Sequence, residues 1–239
     1  MTKEMKSIPL SMHEDIIERH FARDATTNLK VSDVEIEAIR DAALAGREAA
    51  AKMLDVRANI MANQMATPIA NEKNARETIY KIWEVVAKKV DVAVERANKK
   101  RSAIMEKIAA PPQPKDLPGT MVAAEIRATL ASMSAVKRKE ALSHAIASSE
   151  DAVLAAAINA PQILTGLTQA EKEMLLVLWR KTRFPAEVDL ADRLENAMAD
   201  VLRGAEALMK FQFGLTDQSR IEAAEKSEHV AAAALCAVN

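Results

Sequence analysis

The chain is short of several things, and each shortage closes off a class of protein. There is one cysteine, Cys236. A single thiol makes no internal disulfide, so the fold does not lean on an oxidising compartment. Aromatic residues are 3% of the sequence. Alanine, methionine and the aliphatics must fill the interior, and small side chains let helices approach closely. Glycines number 5 and prolines 8, and nearly all of them mark boundaries. The net charge is −1, so no global field draws the chain to nucleic acid or to an anionic membrane; either role would need a local patch. No apolar run approaches the roughly twenty residues needed to span a bilayer. Lys3, Glu4 and Lys6 interrupt the pattern of a secretory leader. The expected setting is cytoplasmic.

Catalytic motifs are missing too. There is no Gly-x-Ser-x-Gly, no glycine-rich phosphate loop and no Cys-x-x-Cys. His13 and His20 stand seven apart with Glu14 between, which is not the His-Glu-x-x-His spacing of a zinc peptidase. They read as surface or half-buried histidines of an N-terminal arm, residues 1–31. His144 reads as a polar-face or half-buried residue of an amphipathic helix rather than a base. No catalytic residue, metal ligand or cofactor is assigned, and the expectation is a non-enzymatic protein.

What the chain has in quantity is helical periodicity. In Thr78–Ile108 the apolar positions Ile79, Trp83, Val86, Val90, Ala93, Ala97 and Ile104 step by fours and threes apart from one seven-residue step. That is the seam of a helix packed lengthwise on another. At 1.5 Å per residue such a helix is about 45 Å long. An earlier stretch, opened by a capping box at Ser32-x-x-Glu35, carries Ile36, Ile39, Ala43, Gly46, Ala50, Met53 and Ile60. Thr67-Pro68, with Asn71, Glu72 and Asn74 nearby, predicts a turn between the two. The expected architecture over 32–110 is a long antiparallel, coiled-coil-like hairpin; the alternative is one rod kinked at Pro68. Residues 111–119, with their prolines, predict an extended linker. Residues 120–239 predict a compact bundle of shorter helices: an amphipathic stretch over 120–147, a short piece over 150–159 capped by Ser148 or Ser149, a helix over 169–183 opened by the capping box Thr168-x-x-Glu171, an amphipathic helix over 186–209, and an alanine-rich helix starting at Thr216-Asp217 and running to about Val238. Met174–Trp179 is apolar nearly all round, which places its helix at the centre of that bundle. The fold class is all-α.

Two surfaces stand out. Val86, Val90 and Trp83 lie on the seam, while Ile82, Val85, Val92 and Val94 lie off it and would stay in water in a lone hairpin. These residues form the expected docking surface, for a second copy or another structural protein. Arg96, Lys99, Lys100 and Arg101 make one basic cluster, and Lys137, Arg138 and Lys139 a second. Either could touch phosphate, although neither has interleaved aromatics to stack bases; the simpler role of the first is to complement a helix C-terminus.

Two resemblances add to this. Leu167-Thr-x-x-Glu-x-x-Leu-Leu-x-x-Leu178, followed by Asp189-Leu-Ala-Asp-Arg-Leu194, resembles the opening helices of winged helix–turn–helix regulators. That resemblance implies a recognition helix from about Asn196, where Glu195 and Asp200 precede the first cation, Arg203. Ala157-Ile-x-x-Ala-Pro161-x-x-Leu-Thr-Gly-Leu-Thr-x-x-Glu171, then Arg183-Phe-Pro185 and an amphipathic helix, resembles a pattern in uncharacterised helical proteins encoded by phages and prophages, over about residues 149–209. It implies a virion or assembly setting. The expected function is therefore a structural or assembly protein, oligomeric, with a DNA-associated regulator as the alternative.

Overall fold

Side chains that satisfy the free amides of a first turn decide where most of these helices begin. The computed structural model describes residues 13–236, and side chains as far as residue 233. Its helices are α1 (Asp15–Glu18), α2 (Val34–Met61), α3 (Pro68–Lys107), α4 (Leu117–Ser132), α5 (Ala135–Ala147), α6 (Asp151–Ile158), α7 (Gln162–Thr165), α8 (Gln169–Arg183), α9 (Pro185–Phe213) and α10 (Gln218–Cys236). No strand occurs among the described residues; an isolated antiparallel bridge joins Arg23 and Lys30. The fold is all-α. The final helix is described to Cys236, so its expected end near Val238 lies outside the described residues, as do residues 1–12 of the N-terminal arm.

Caps correct several expected boundaries. Asp33, not Ser32, caps α2 by accepting the Ile36 amide at 3.0 Å, while Ser32 Oγ donates to Glu37. The turn before α3 lies at 62–67, and Asn71, Glu72 and Asn74 belong to the opening turns of α3. Pro68 starts that helix, where its missing N–H costs nothing. The stretch expected as one helix over 120–147 is two, because Ser134 caps a new helix through the Lys137 amide. The Thr168–Glu171 box forms with both halves in place. Ser149 takes a positive φ and caps no amide; α6 instead follows Glu150.

The chain divides into two compact units. One takes its residues from Met1–Lys100 and Arg193–Asn239, the other from Arg101–Asp192. Both boundaries fall inside helices, α3 and α9. In the first unit Ile36, Ile39, Gly46, Ala50 and Met53 of α2 are buried, joined by Ala42 and Ala49. Ala43 and Ile60 are only half-buried. A 3.6-residue helix drifts about 20° per heptad against a strict repeat, so the buried stripe migrates to neighbouring positions. On α3, Ile79, Val86, Val90, Ala93 and Ala97 are buried in this unit, and Ile104 is buried beyond the boundary, in the second. Ala43 and Gly46 of α2, Val86 and Val90 of α3, and Val201, Gly204, Ala205 and Leu208 of α9 line one small pocket. The third wall thus comes from α9, whose small residues allow close approach. Ala38 and Ala42 share a second, shallower depression with Lys89, Ala93 and Arg96. Later α2 residues therefore lie beside earlier α3 residues.

In the second unit α4 packs on α6 and α7, α5 on α6 and α8, and α6 on α8. Leu130, Leu142, Ile146, Leu154, Leu167 and Trp179 form the core. Trp179 meets Phe184 edge-on at 5.3 Å, and its Nε1 donates to Asp151 at 3.0 Å. Residues 111–119 lie within this unit. Arg180 donates to the carbonyls of Ile108 and Ala109, both at 2.8 Å, and Pro111 is buried.

Candidate functional site

Helix α9 carries a buried carboxylate in the first unit, Asp200. One carboxylate oxygen accepts from Arg19 and lies 2.7 Å from His20 Nε2; the other accepts from Arg203. Arg193 donates to the His20 carbonyl at 3.2 Å. Burial pushes the Asp200 pKa up, and the bonds from His20, Arg19 and Arg203 outweigh it, bringing the carboxyl from 3.8 down to about 2. A carboxylate held this low, with each oxygen occupied, is a poor general base. It works as a pin that fastens the short α1 segment to α9. No group of three or more His, Cys, Asp or Glu arranged to hold a metal occurs among the described residues.

The second unit carries a different feature, an open groove of about 420 Å³ between α5 and α8. Helix α5 supplies Ala135, Arg138, Lys139, Leu142 and Ser143, spaced alternately by threes and ones along one face. Helix α8 supplies Glu171, Met174, Val177, Leu178 and Lys181, and Leu167 closes the floor. Leu142 and Leu167 are buried, but Met174 is 65%, Val177 48% and Leu178 46% exposed. This corrects the expectation that α8 lies at the centre of its bundle. The helix is apolar nearly all round, yet only the side bearing Trp179 and Lys172 is buried. Lys172 spends its ammonium on the Ala160 carbonyl. Helices α5 and α6 pack on one side of α8, and the other side faces water.

No family model, no curated protein and no solved structure matches this chain.

The residues expected to dock a partner on α3 fall into three classes. Val86 and Val90 are buried, Ile82, Trp83 and Val94 are half-buried, and Val85 and Val92 are 58% and 57% exposed. On a helix of 3.6 residues per turn, the side within about 60° of Val85 also carries Lys81, Lys88, Lys89, Arg96, Lys99 and Lys100. The two exposed valines therefore sit among cations rather than in an apolar patch. Lys88 pairs with Glu84 at 2.9 Å. Arg101 lies on another side of the helix and is half-buried.

In the second basic run Arg138 is engaged at each of its three nitrogens. It donates to the carbonyls of Leu130 at 2.8 Å, Met133 at 2.9 Å and Gly166 at 2.7 Å. It is a staple rather than a phosphate contact, while Lys137 and Lys139 are exposed. The expected recognition helix near Asn196 lies inside the unbroken α9, with Asp200 buried in its ion cluster. The face of α9 that stays exposed there carries Glu195, Asn196, Ala199 and Leu202, and the first cation, Arg203, is paired with Asp200, a poor set of donors for a major groove.

No helix among the described residues is long and apolar enough to cross a membrane.

Proposed function

We propose that this chain is a non-enzymatic interaction and assembly protein, a helical scaffold that seats another protein element. One observation carries the reading: the outer side of α8, with Met174, Val177 and Leu178, is left exposed along the α5–α8 groove. A contiguous apolar surface on a monomeric chain costs stability and solubility, and is usually retained because something covers it. Methionine is common on such surfaces, since its flexible thioether fits varied partners. The phage-like pattern over residues 149–209 includes α8 and supplies the setting, virion architecture or assembly. The α2–α3 hairpin remains a proposed second contact, for another copy of the chain or another structural protein.

The test is co-fractionation in cells that make the protein. Wild type should elute in a high-mass fraction on gel filtration of a fresh extract. The Met174→Glu variant should keep its helical circular dichroism, because the side chain is mostly in water, and should move to the free-chain fraction. Wild-type protein eluting free at its natural level would end the assembly reading.

A further inference from the structure

We propose that the α5–α8 groove takes an amphipathic helix of a partner protein whose flanks are acidic. This rests on the assembly reading and names the chemistry of the partner. The groove has the dimensions of a helix seat. Its lining runs from Glu171 to Lys181 on α8 and from Ala135 to Ser143 on α5. At 1.5 Å per residue these are walls of about 15 and 12 Å, enough for two to three turns of a docked helix. The floor is aliphatic, and both walls are helices with side chains at three- and four-residue steps. That pattern receives apolar anchors at i, i+3 or i+4, and i+7. A small-molecule pocket encloses most of its ligand's surface; this groove is open to water between its two helical walls.

The acidic preference follows from which rim charges are still available. Arg138 lines the groove, but its guanidinium serves three carbonyls. Glu171 lines it too, but one of its oxygens accepts both the amide and the hydroxyl of Thr168, each at 2.7 Å. Those bonds fix the carboxylate at the start of α8. Lys139 and Lys181 remain. Both are exposed and neither makes a close ion pair among the described residues, although Lys139 is near enough to Glu171 to help hold that carboxyl below its ordinary pKa. Over the whole lining, the positive charges of Arg138, Lys139 and Lys181 outnumber the one negative charge of Glu171, so the rim is positive on balance. A partner carrying Glu or Asp beside its apolar stripe gains on both sides of the groove, and one carrying Lys there meets like charge.

The test uses the full chain and synthetic helical peptides of about sixteen residues. Their apolar positions vary among Leu, Ile, Phe and Met at the spacing above, and their flanks are all Glu or all Lys. Fluorescence anisotropy should find Glu-flanked peptides binding at least about tenfold tighter than their Lys-flanked twins at low salt. The Met174→Glu variant should abolish binding, with circular dichroism showing the fold intact; Met174→Gln, which adds no charge, should weaken it. The double variant Lys139→Glu, Lys181→Glu should reverse the preference. Equal binding of the two flank classes, an unchanged order in the double variant, or no peptide binding below about 100 µM would overturn the inference. So would a homodimer that Met174→Glu dissociates while the peptides fail, since the occupant would then be a second copy. Binding to phosphatidylglycerol vesicles in place of any peptide would overturn it in favour of a lipid surface. A chain that leaves the high-mass fraction on Met174→Glu yet shows no charge preference would sink this inference and leave the assembly reading standing.

Discussion

Single residues decide more here than composition suggests, and two of them illustrate what a sequence can and cannot announce. Thr168 and Glu171 were legible because a capping box is local: the partners are three residues apart and the geometry follows from the spacing. Asp200 was not, because His20 and Arg19 lie 180 and 181 residues away and nothing in the periodicity of α9 marks its polar partner. The sequence signal that existed was weak, an aspartate set among the buried positions Ala197, Met198 and Val201 of an amphipathic helix. Its physical consequence is a stability that depends on pH. The folded pKa is lowered, from 3.8 to about 2. Stabilisation from this carboxylate is then fully present above about pH 4 and is lost as the pH falls through about 2. With Arg19 and Arg203 largely exposed, solvent screening discounts this displacement to about 1 kcal/mol. Asp200→Asn should cost about that much in urea denaturation at pH 7, and the gap between variant and wild type should close as the buffer is taken from pH 4 toward pH 2. A gap that stays constant over that range would mean the carboxylate is not held by charge.

At the scale of elements, periodicity was a sound guide to which faces are inward and a poor guide to how many neighbours a helix has. The buried seams of α2 and α3 were legible because threes and fours report one contact line. Helix α8 was misplaced because an all-round apolar pattern has two explanations, a central position or an uncovered docking side, and the pattern alone does not separate them. Helix α3 gives a paired check on face assignment. Val86 is 5% exposed and Val85 is 58% exposed. An unpaired carboxylate is costly to bury, so Val86→Glu should collapse much of the helical circular dichroism. Val85→Glu should leave it intact, and if the hairpin joins copies of the chain it should also lower the mass seen by light scattering. Equal loss of helix in both variants would mean the face is assigned wrongly. The cations around Val85 bear on the DNA alternative. Lys89, Arg96 and Lys99 are exposed without ion pairs among the described residues, but Glu84, Asp91 and Glu95 lie on the adjoining side of the helix. Duplex DNA should therefore bind weakly and without sequence preference. Each contacted phosphate contributes about −0.9 to the logarithmic salt slope, so such binding should fade by physiological salt. Sub-micromolar, sequence-dependent binding at that salt would favour a regulator over a scaffold.

For the whole molecule the decisive fact is how the chain is distributed between its two compact units. One is continuous, Arg101–Asp192; the other needs both Met1–Lys100 and Arg193–Asn239. A proline-rich segment looks like a boundary because prolines cannot continue a helix, yet it reports only where regular structure stops. Which side chains bury it depends on distant residues such as Arg180, which holds the Ile108 and Ala109 carbonyls. The two tryptophans make the division testable, since Trp83 lies in the first unit and Trp179 in the second. With Trp179→Phe the remaining fluorescence follows the first unit, and with Trp83→Phe it follows the second. Into each background go two further substitutions. Asp200→Asn removes the pin of the first unit. Arg138→Ala removes the donor to three carbonyls of the second, a loss of about 1–3 kcal/mol by the usual cost of unpaired polar groups. If each unit unfolds as its own cooperative body, Asp200→Asn should lower the urea midpoint seen by Trp83 and leave the one seen by Trp179 in place. Arg138→Ala should do the reverse. The continuous unit has its own core around Leu142, Leu154 and Trp179, so its transition should survive whatever happens to the pin. Coincident transitions, with both substitutions shifting both probes, would show that the molecule unfolds as one cooperative body, its stability shared through the helices that carry the chain across the boundary.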